Sequence, residues 1–110
     1  MAVFYLGSTM QFLAVLKGRS DRFTEADFAA HRSQERAQAR TLYAQGFIRQ
    51  IWHRGDGGGA CIVFEADSEE HVNALLNTLP FVKAGMLDVM IVPLKPYSGF
   101  FQLESPSPQP

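Results

Sequence analysis

The chain alternates between two hydrophobic periods, and the order of those segments leaves few folds open. Residues 11–17 (QFLAVLK), 47–54 (FIRQIWHR), 60–65 (ACIVFE) and 86–92 (MLDVMIV) are apolar runs of strand length. Residues 24–46 read instead as an amphipathic helix, and Val72, Leu75, Leu76 and Leu79 form an i, i+3, i+4, i+7 helical stripe. Turn chemistry separates the segments: residues 18–23, the glycine loop 55–59 (GDGGG), Pro80, Pro93 and Pro96. The order β-α-β-β-α-β predicts a ferredoxin-like α+β fold, a four-stranded antiparallel sheet with both helices on one face.

Local signals agree with that order. Thr24 is the expected N-cap of the first helix, Glu25 and Asp27 suit the positive end of its dipole, and Gly46 is its expected C′ residue. Asp67 or Ser68 caps the second helix, with Glu70 three residues after Asp67 in a capping-box spacing, and Pro80 is expected to stop it. Pro93 and Pro96 are expected to stop the last strand. All four strands carry apolar residues on both parities, yet two helices cover only one face. The other face calls for a cover, and a second copy of the same sheet is the simplest one, giving a homodimer or a higher homo-oligomer. At 110 residues the chain reads as one domain at 10–97, with an extension at 1–9 and a partly disordered tail at 98–110 ending SPSPQP.

Composition removes several function classes. The net charge is −1 with both signs mixed along the chain, so there is no electrostatic footprint for nucleic acid or an anionic membrane. The single cysteine, Cys61, excludes an intrachain disulfide and a cysteine-based zinc site, and it reads as a buried strand residue. His31, His53 and His71 fall on three different segments with no metal-ligand spacing, so no metal is expected. No secretory start and no run of about eighteen apolar residues is visible, which sets the expectation of a cytoplasmic protein.

One residue breaks the pattern. At 100° per residue, Phe28, Ala39, Leu42 and Gly46 cluster within roughly 40° on one side of the first helix, and Glu35 falls among them. A carboxylate on a core-facing stripe is costly unless it is paired or lines a polar pocket. Glu35 is therefore the candidate proton carrier, its pKa raised by apolar surroundings. Arg32 shares that face and suits a substrate carboxylate, although an i, i+3 ion pair with Glu35 is the structural alternative. His31 and Tyr43 lie at the edges of the stripe. On the second strand, strict alternation puts Arg49 and His53 on one face and Trp52 on the other. His53 is a reserve acid or base, Arg49 a second possible anchor, and Trp52, Phe28 and Tyr43 the expected pocket walls.

The stretch QGFIRQIWHRGDGGGACIVFEADSEEHVNALLNTLPF, followed by MLDVMIVPL, resembles the muconolactone isomerase family. The shared features are the helix-ending Gly46, the Ile51-Trp52 pair before a hairpin, Asp67 to Glu70, the LL-x-x-LP helix end (Leu75 to Pro80) and the final D-V-x-x-V-P-L strand. The resemblance implies a dimeric α+β barrel and cofactor-free isomerisation of an unsaturated lactone by proton transfer. Family members carry a Lys and a Glu three residues apart on the first helix, and this chain has Arg32 and Glu35 there. The family's Trp-Arg is Trp52-His53 here. An arginine cannot donate a proton as a lysine does, so Glu35 is left as the titratable member. The rival readings are a cofactor-independent monooxygenase or cyclase on an aromatic substrate, and a non-catalytic ligand-binding or oligomerisation module.

Overall fold

A computed structural model describes residues 9–100. The expected extension, apart from residue 9, and the tail from 101 onward lie outside the described residues. The elements are β1 (Met10–Gly18), α1 (Glu25–Ala44), β2 (Ile48–His53), β3 (Gly59–Ala66), α2 (Glu69–Leu76), α3 (Pro80–Lys83) and β4 (Leu87–Leu94), followed by a 3₁₀ turn at Ser98–Phe100. The strands order as β2-β3-β1-β4, antiparallel throughout. This is the ferredoxin-like α+β arrangement expected from the segment order.

The core lies between sheet and helices. Phe12, Ala14 and Leu16 of β1 face it, as do Ile62, Phe64 and Ala66 of β3, all at 2% exposure or less. Val72, Leu75 and Leu76 close it from α2, and Leu79, expected on the same helix, closes it from the connection that follows. The alternate residues of the same strands form the opposite face. There Leu13, Val15, Cys61 and Val63 are half-buried, while Met90 and Trp52 are exposed. Cys61 is thus a half-buried residue of the open face rather than a core residue. Among the described residues, no helix is long and apolar enough to cross a membrane.

The hairpin β2–β3 turns through Gly57 and Gly58, both at positive φ. Next to it, a Cβ on Gly59 would stand 2.0 Å from the carbonyl oxygen of Leu16, so only glycine lets β3 start this close to β1. Arg54 grips Asp56 through two bonds of 2.9 and 2.7 Å and locks the loop.

Four local expectations are corrected. Ser68 alone caps α2, accepting the His71 N–H at 3.0 Å, so the Asp67–Glu70 box does not form. Pro80 does not merely stop a helix: α2 ends at Leu76, and Pro80 is the first residue of α3, where its missing N–H costs nothing. Pro93 does not end the last strand. β4 runs through it to Leu94, which an edge strand tolerates. Finally, β2 is bulged: Ile48 pairs with Phe64 but Gln50 pairs with Val63, so Arg49 is an extra residue and the strict alternation fails there.

Candidate functional site

The first helix begins with a full capping box. Thr24 Oγ1 accepts the Asp27 N–H at 3.2 Å, and the Asp27 carboxylate accepts the Thr24 N–H at 2.7 Å. This fixes the phase of α1, and the phase decides which residues face inward. Leu42 is buried and Ala39 packs on the core. Near the other end, Phe28 is half-buried and meets Phe81 edge-on at 5.4 Å and Phe23 at 6.4 Å. Glu35 lies between these two apolar contacts, as the helical period requires.

Its carboxylate does not face open water. Glu35 is half-buried, and its Oε1 accepts the backbone N–H of Phe81 at 2.8 Å. That N–H belongs to the first turn of α3, whose donors have no intrahelical partner. About one turn further along α1, Gln38 donates to Thr78 Oγ1 at 2.9 Å. The two bonds clip α1 to the α2–α3 connection. Burial pushes the Glu35 carboxyl above the usual range, partly offset by the Phe81 N–H and then by the positive charge His31 can carry. The net result is a carboxyl group with a raised pKa and with Oε2 outside that hydrogen bond.

His31 stands one turn before Glu35 and is half-buried. Its Nδ1 lies 3.1 Å from the Asp27 carbonyl oxygen and donates to it, which leaves Nε2 as the acceptor of the neutral ring. Arg32 does not pair with Glu35. Its guanidinium binds Glu25 at 3.0 Å, and the Glu25 side chain is 79% exposed. Arg32 therefore has a partner that a ligand carboxylate can displace.

The remaining candidates do not join this cluster. Tyr43 is 63% exposed and is not a wall of the Glu35 site. Trp52, opposite Cys61, is 61% exposed on the open face of the sheet, so it cannot wall a helix-side pocket either. His53 is opposite Ala60 on the helix side but exposed at the strand end. Arg49 was expected to share a face with His53. The bulge turns it instead to the open face, 3.6 Å from Glu65. No bond among the described residues ties Arg49 or His53 to Glu35. Two parts of the site escaped the sequence: the Phe81 N–H and the Gln38–Thr78 clip. Pro80 was the usable signal for the first, because a proline is favoured at the first position of a helix and so marks a turn whose N–H groups lack intrahelical partners. His71 is half-buried beside Phe47 at 5.3 Å and Asp67 at 3.0 Å.

A ferredoxin-like sheet with a half-buried, weakly supported acid on its helix side defines a class of small α+β domains suited to converting small molecules. Residues 10–99 match the muconolactone delta-isomerase family, and the chain belongs to that family. Among solved structures, it is similar to 5-chloro-2-hydroxyhydroquinone dehydrochlorinase from Burkholderia phenoliruptrix AC1100 in complex with 2,5-dihydroxybenzoquinone. The identity is 23%, the TM-score 0.62, and the match covers 78% of this chain and 94% of that one. At that identity the likeness speaks for the fold. No curated protein matches the chain in sequence.

Proposed function

We propose that this chain is a cofactor-free isomerase of a small, carboxylate-bearing unsaturated lactone or enone. The observation that carries the reading is Glu35: a half-buried carboxyl with raised pKa, held by one backbone N–H, in a member of this enzyme family. Glu35 removes a proton from a carbon next to the substrate carbonyl. The electron pair shifts into the conjugated system as a dienolate. Glu35, whose acquired proton exchanges with solvent, then delivers a proton to the far carbon of that system, moving the double bond with no net redox change. A raised pKa suits both halves, because the group must take the proton and give it back.

Arg32 is the anchor for the substrate acid, exchanging Glu25 for it. His31 supports the acid through its charge, and Phe28 and Phe81 supply the apolar wall. Arg49 and Trp52 lie beyond the sheet and have no place in this step within one subunit. The apolar open face supports assembly as a sheet-to-sheet homodimer.

The test is proton exchange. An unsaturated lactone mixed with the protein in deuterated water is followed by NMR. Wild type should isomerise it and incorporate label at the far carbon, while Glu35→Gln should lose both by about 10²–10⁴-fold. Full activity in Glu35→Gln removes the carboxylate from the mechanism. A second reading, elimination of chloride from a chlorinated hydroquinone, is favoured by the dehydrochlorinase among the structural relatives. Chloride release from such a substrate would select it.

A further inference from the structure

We propose that the open face of the sheet carries a second ligand site, a cleft centred on Arg49 that takes a small monocarboxylate with an apolar, planar body. The cleft has a volume of about 370 Å³ and is lined by Gln11, Arg49, Gln50, Val63 and Leu94. That volume falls in the range of small-molecule sites, roughly 300–1,000 Å³. It lies at one end of the sheet, where β1 and β2 begin and β3 and β4 end. A partner covering the centre of this face would leave the cleft at the mouth of the resulting barrel, a common place for ligands.

The site is built around one side chain re-aimed by the backbone. The bulge in β2 makes Arg49 the extra residue and delivers its guanidinium to the open face. Beside it stands Glu65, whose carboxylate is already committed. Glu65 Oε2 accepts from Thr9 Oγ1 at 2.6 Å, and Oε1 accepts from Gln11 Nε2 at 3.2 Å. Arg49 approaches the same Oε1 only to 3.6 Å, an ion contact too long for a hydrogen bond. Glu65 thus holds the guanidinium in place without using up its N–H donors. The Arg49 side chain is 56% exposed, so its fork stays open to a ligand, whereas Glu65 is 24% exposed.

The surroundings select the ligand class. A guanidinium matches the two oxygens of a carboxylate through parallel bonds. The Gln50 carboxamide adds an adaptable donor beside it. Val63 and Leu94 supply apolar surface for a flat hydrocarbon body. The single open guanidinium fork, with no second cation lining the cleft among the described residues, suits the two oxygens of one carboxylate better than a doubly charged phosphate. Nor is a cation expected, because no group of three or more His, Cys, Asp or Glu side chains converges among the described residues. The chemistry left is a benzoate-like monoanion.

The proposal is independent of the Glu35 reading, because the two sites lie on opposite faces of the sheet. It is tested on the full chain by a ¹H–¹⁵N NMR titration with sodium benzoate, with benzamide as the uncharged probe. Benzoate should move the Arg49 Nε–H signal, the side-chain amides of Gln11 and Gln50, and the Val63 amide. Benzamide should bind at least about tenfold more weakly. Arg49→Gln should abolish the shifts, and Arg49→Lys, which keeps the charge but loses the fork, should weaken them about tenfold. Glu35→Gln should leave them unchanged. Shifts confined to α1 and α3, equal binding of benzamide, retained binding in a folded Arg49→Gln, or no binding at all because a second copy fills the cleft would each overturn the proposal. If Arg49→Gln does not fold, the Arg49→Lys titration decides.

Discussion

Two half-buried glutamates, one on each side of the sheet, are supported in opposite ways. Glu65 on the open face has Thr9, Gln11 and Arg49 around it. Glu35 on the helix side has one backbone N–H and an apolar setting. A carboxylate with several donors is held in place by them. One with a single donor and partial burial has its pKa raised, and that separates a group that positions others from one that suits proton exchange. The same contrast runs through the sheet itself. Leu16 and Val15 are neighbours in one apolar run, but helices cover only the first.

The largest expected effect breaks that last comparison open. Leu16 is 2% exposed, and Leu16→Ala should lower the unfolding free energy by about 2–5 kcal/mol in urea denaturation. Val15→Ala on the other face should cost about 1 kcal/mol or less in a monomer, because less surface returns to water. Equal costs would mean the open face is as well packed as the core, which only a partner could bring about.

A middle-sized effect sharpens the difference between the glutamates. Glu35→Ala strands the Phe81 N–H and should cost about 1 kcal/mol. Glu35→Gln keeps an acceptor there and should cost a few tenths at most, although it removes the proton carrier. Stability and activity should therefore separate in these two variants. If Ala and Gln cost the same, the bond to Phe81 contributes nothing to the fold.

A smaller effect tests what covers the open face. Met90 is 57% exposed. Met90→Asp should change monomer stability by no more than about 0.5 kcal/mol. In a sheet-to-sheet dimer it should shift the sedimentation profile toward monomer, since a buried unpaired charge is heavily penalised. A dimer that survives the substitution must use another surface.

Much of this was legible in the sequence, and the failures have common physical causes. Helical phase placed Glu35 on the inner face because α1 is long and firmly capped by Thr24. The second stripe's four positions are all core, but Leu79 reaches it from the α2–α3 connection, because the helix ends at Leu76. Arg49 read wrongly because a parity argument assumes an unbroken two-residue period, and one bulged residue reverses it. Pro80 and Pro93 read as stops because proline opposes the middle of an element. It is accepted at the first turn of a helix and on an edge strand, and edge position is settled only by topology. Arg32 paired with Glu25 seven residues away, two turns along the same face, rather than with the nearer Glu35. The nearer partner was taken by a backbone donor from another element.

The finest test concerns the protonation of Glu35 alone. Because burial disfavours its charged form, its pKa in the folded chain lies above that in the unfolded chain. Below the unfolded value both states hold the proton, and the group's stabilising contribution is fully present. As pH rises, the unfolded chain releases the proton first, so unfolding becomes easier until the folded value is passed. Stability from this residue is thus lost with rising pH, opposite to the salt-bridged acids that make most proteins weaken in acid. Glu35→Gln lacks that limb. Urea midpoints of the two proteins through the weakly acidic range should show wild type losing ground to the Gln variant as pH increases. A gain instead would mean the Phe81 N–H and the His31 charge outweigh burial, and that Glu35 is not a group whose charged form is disfavoured.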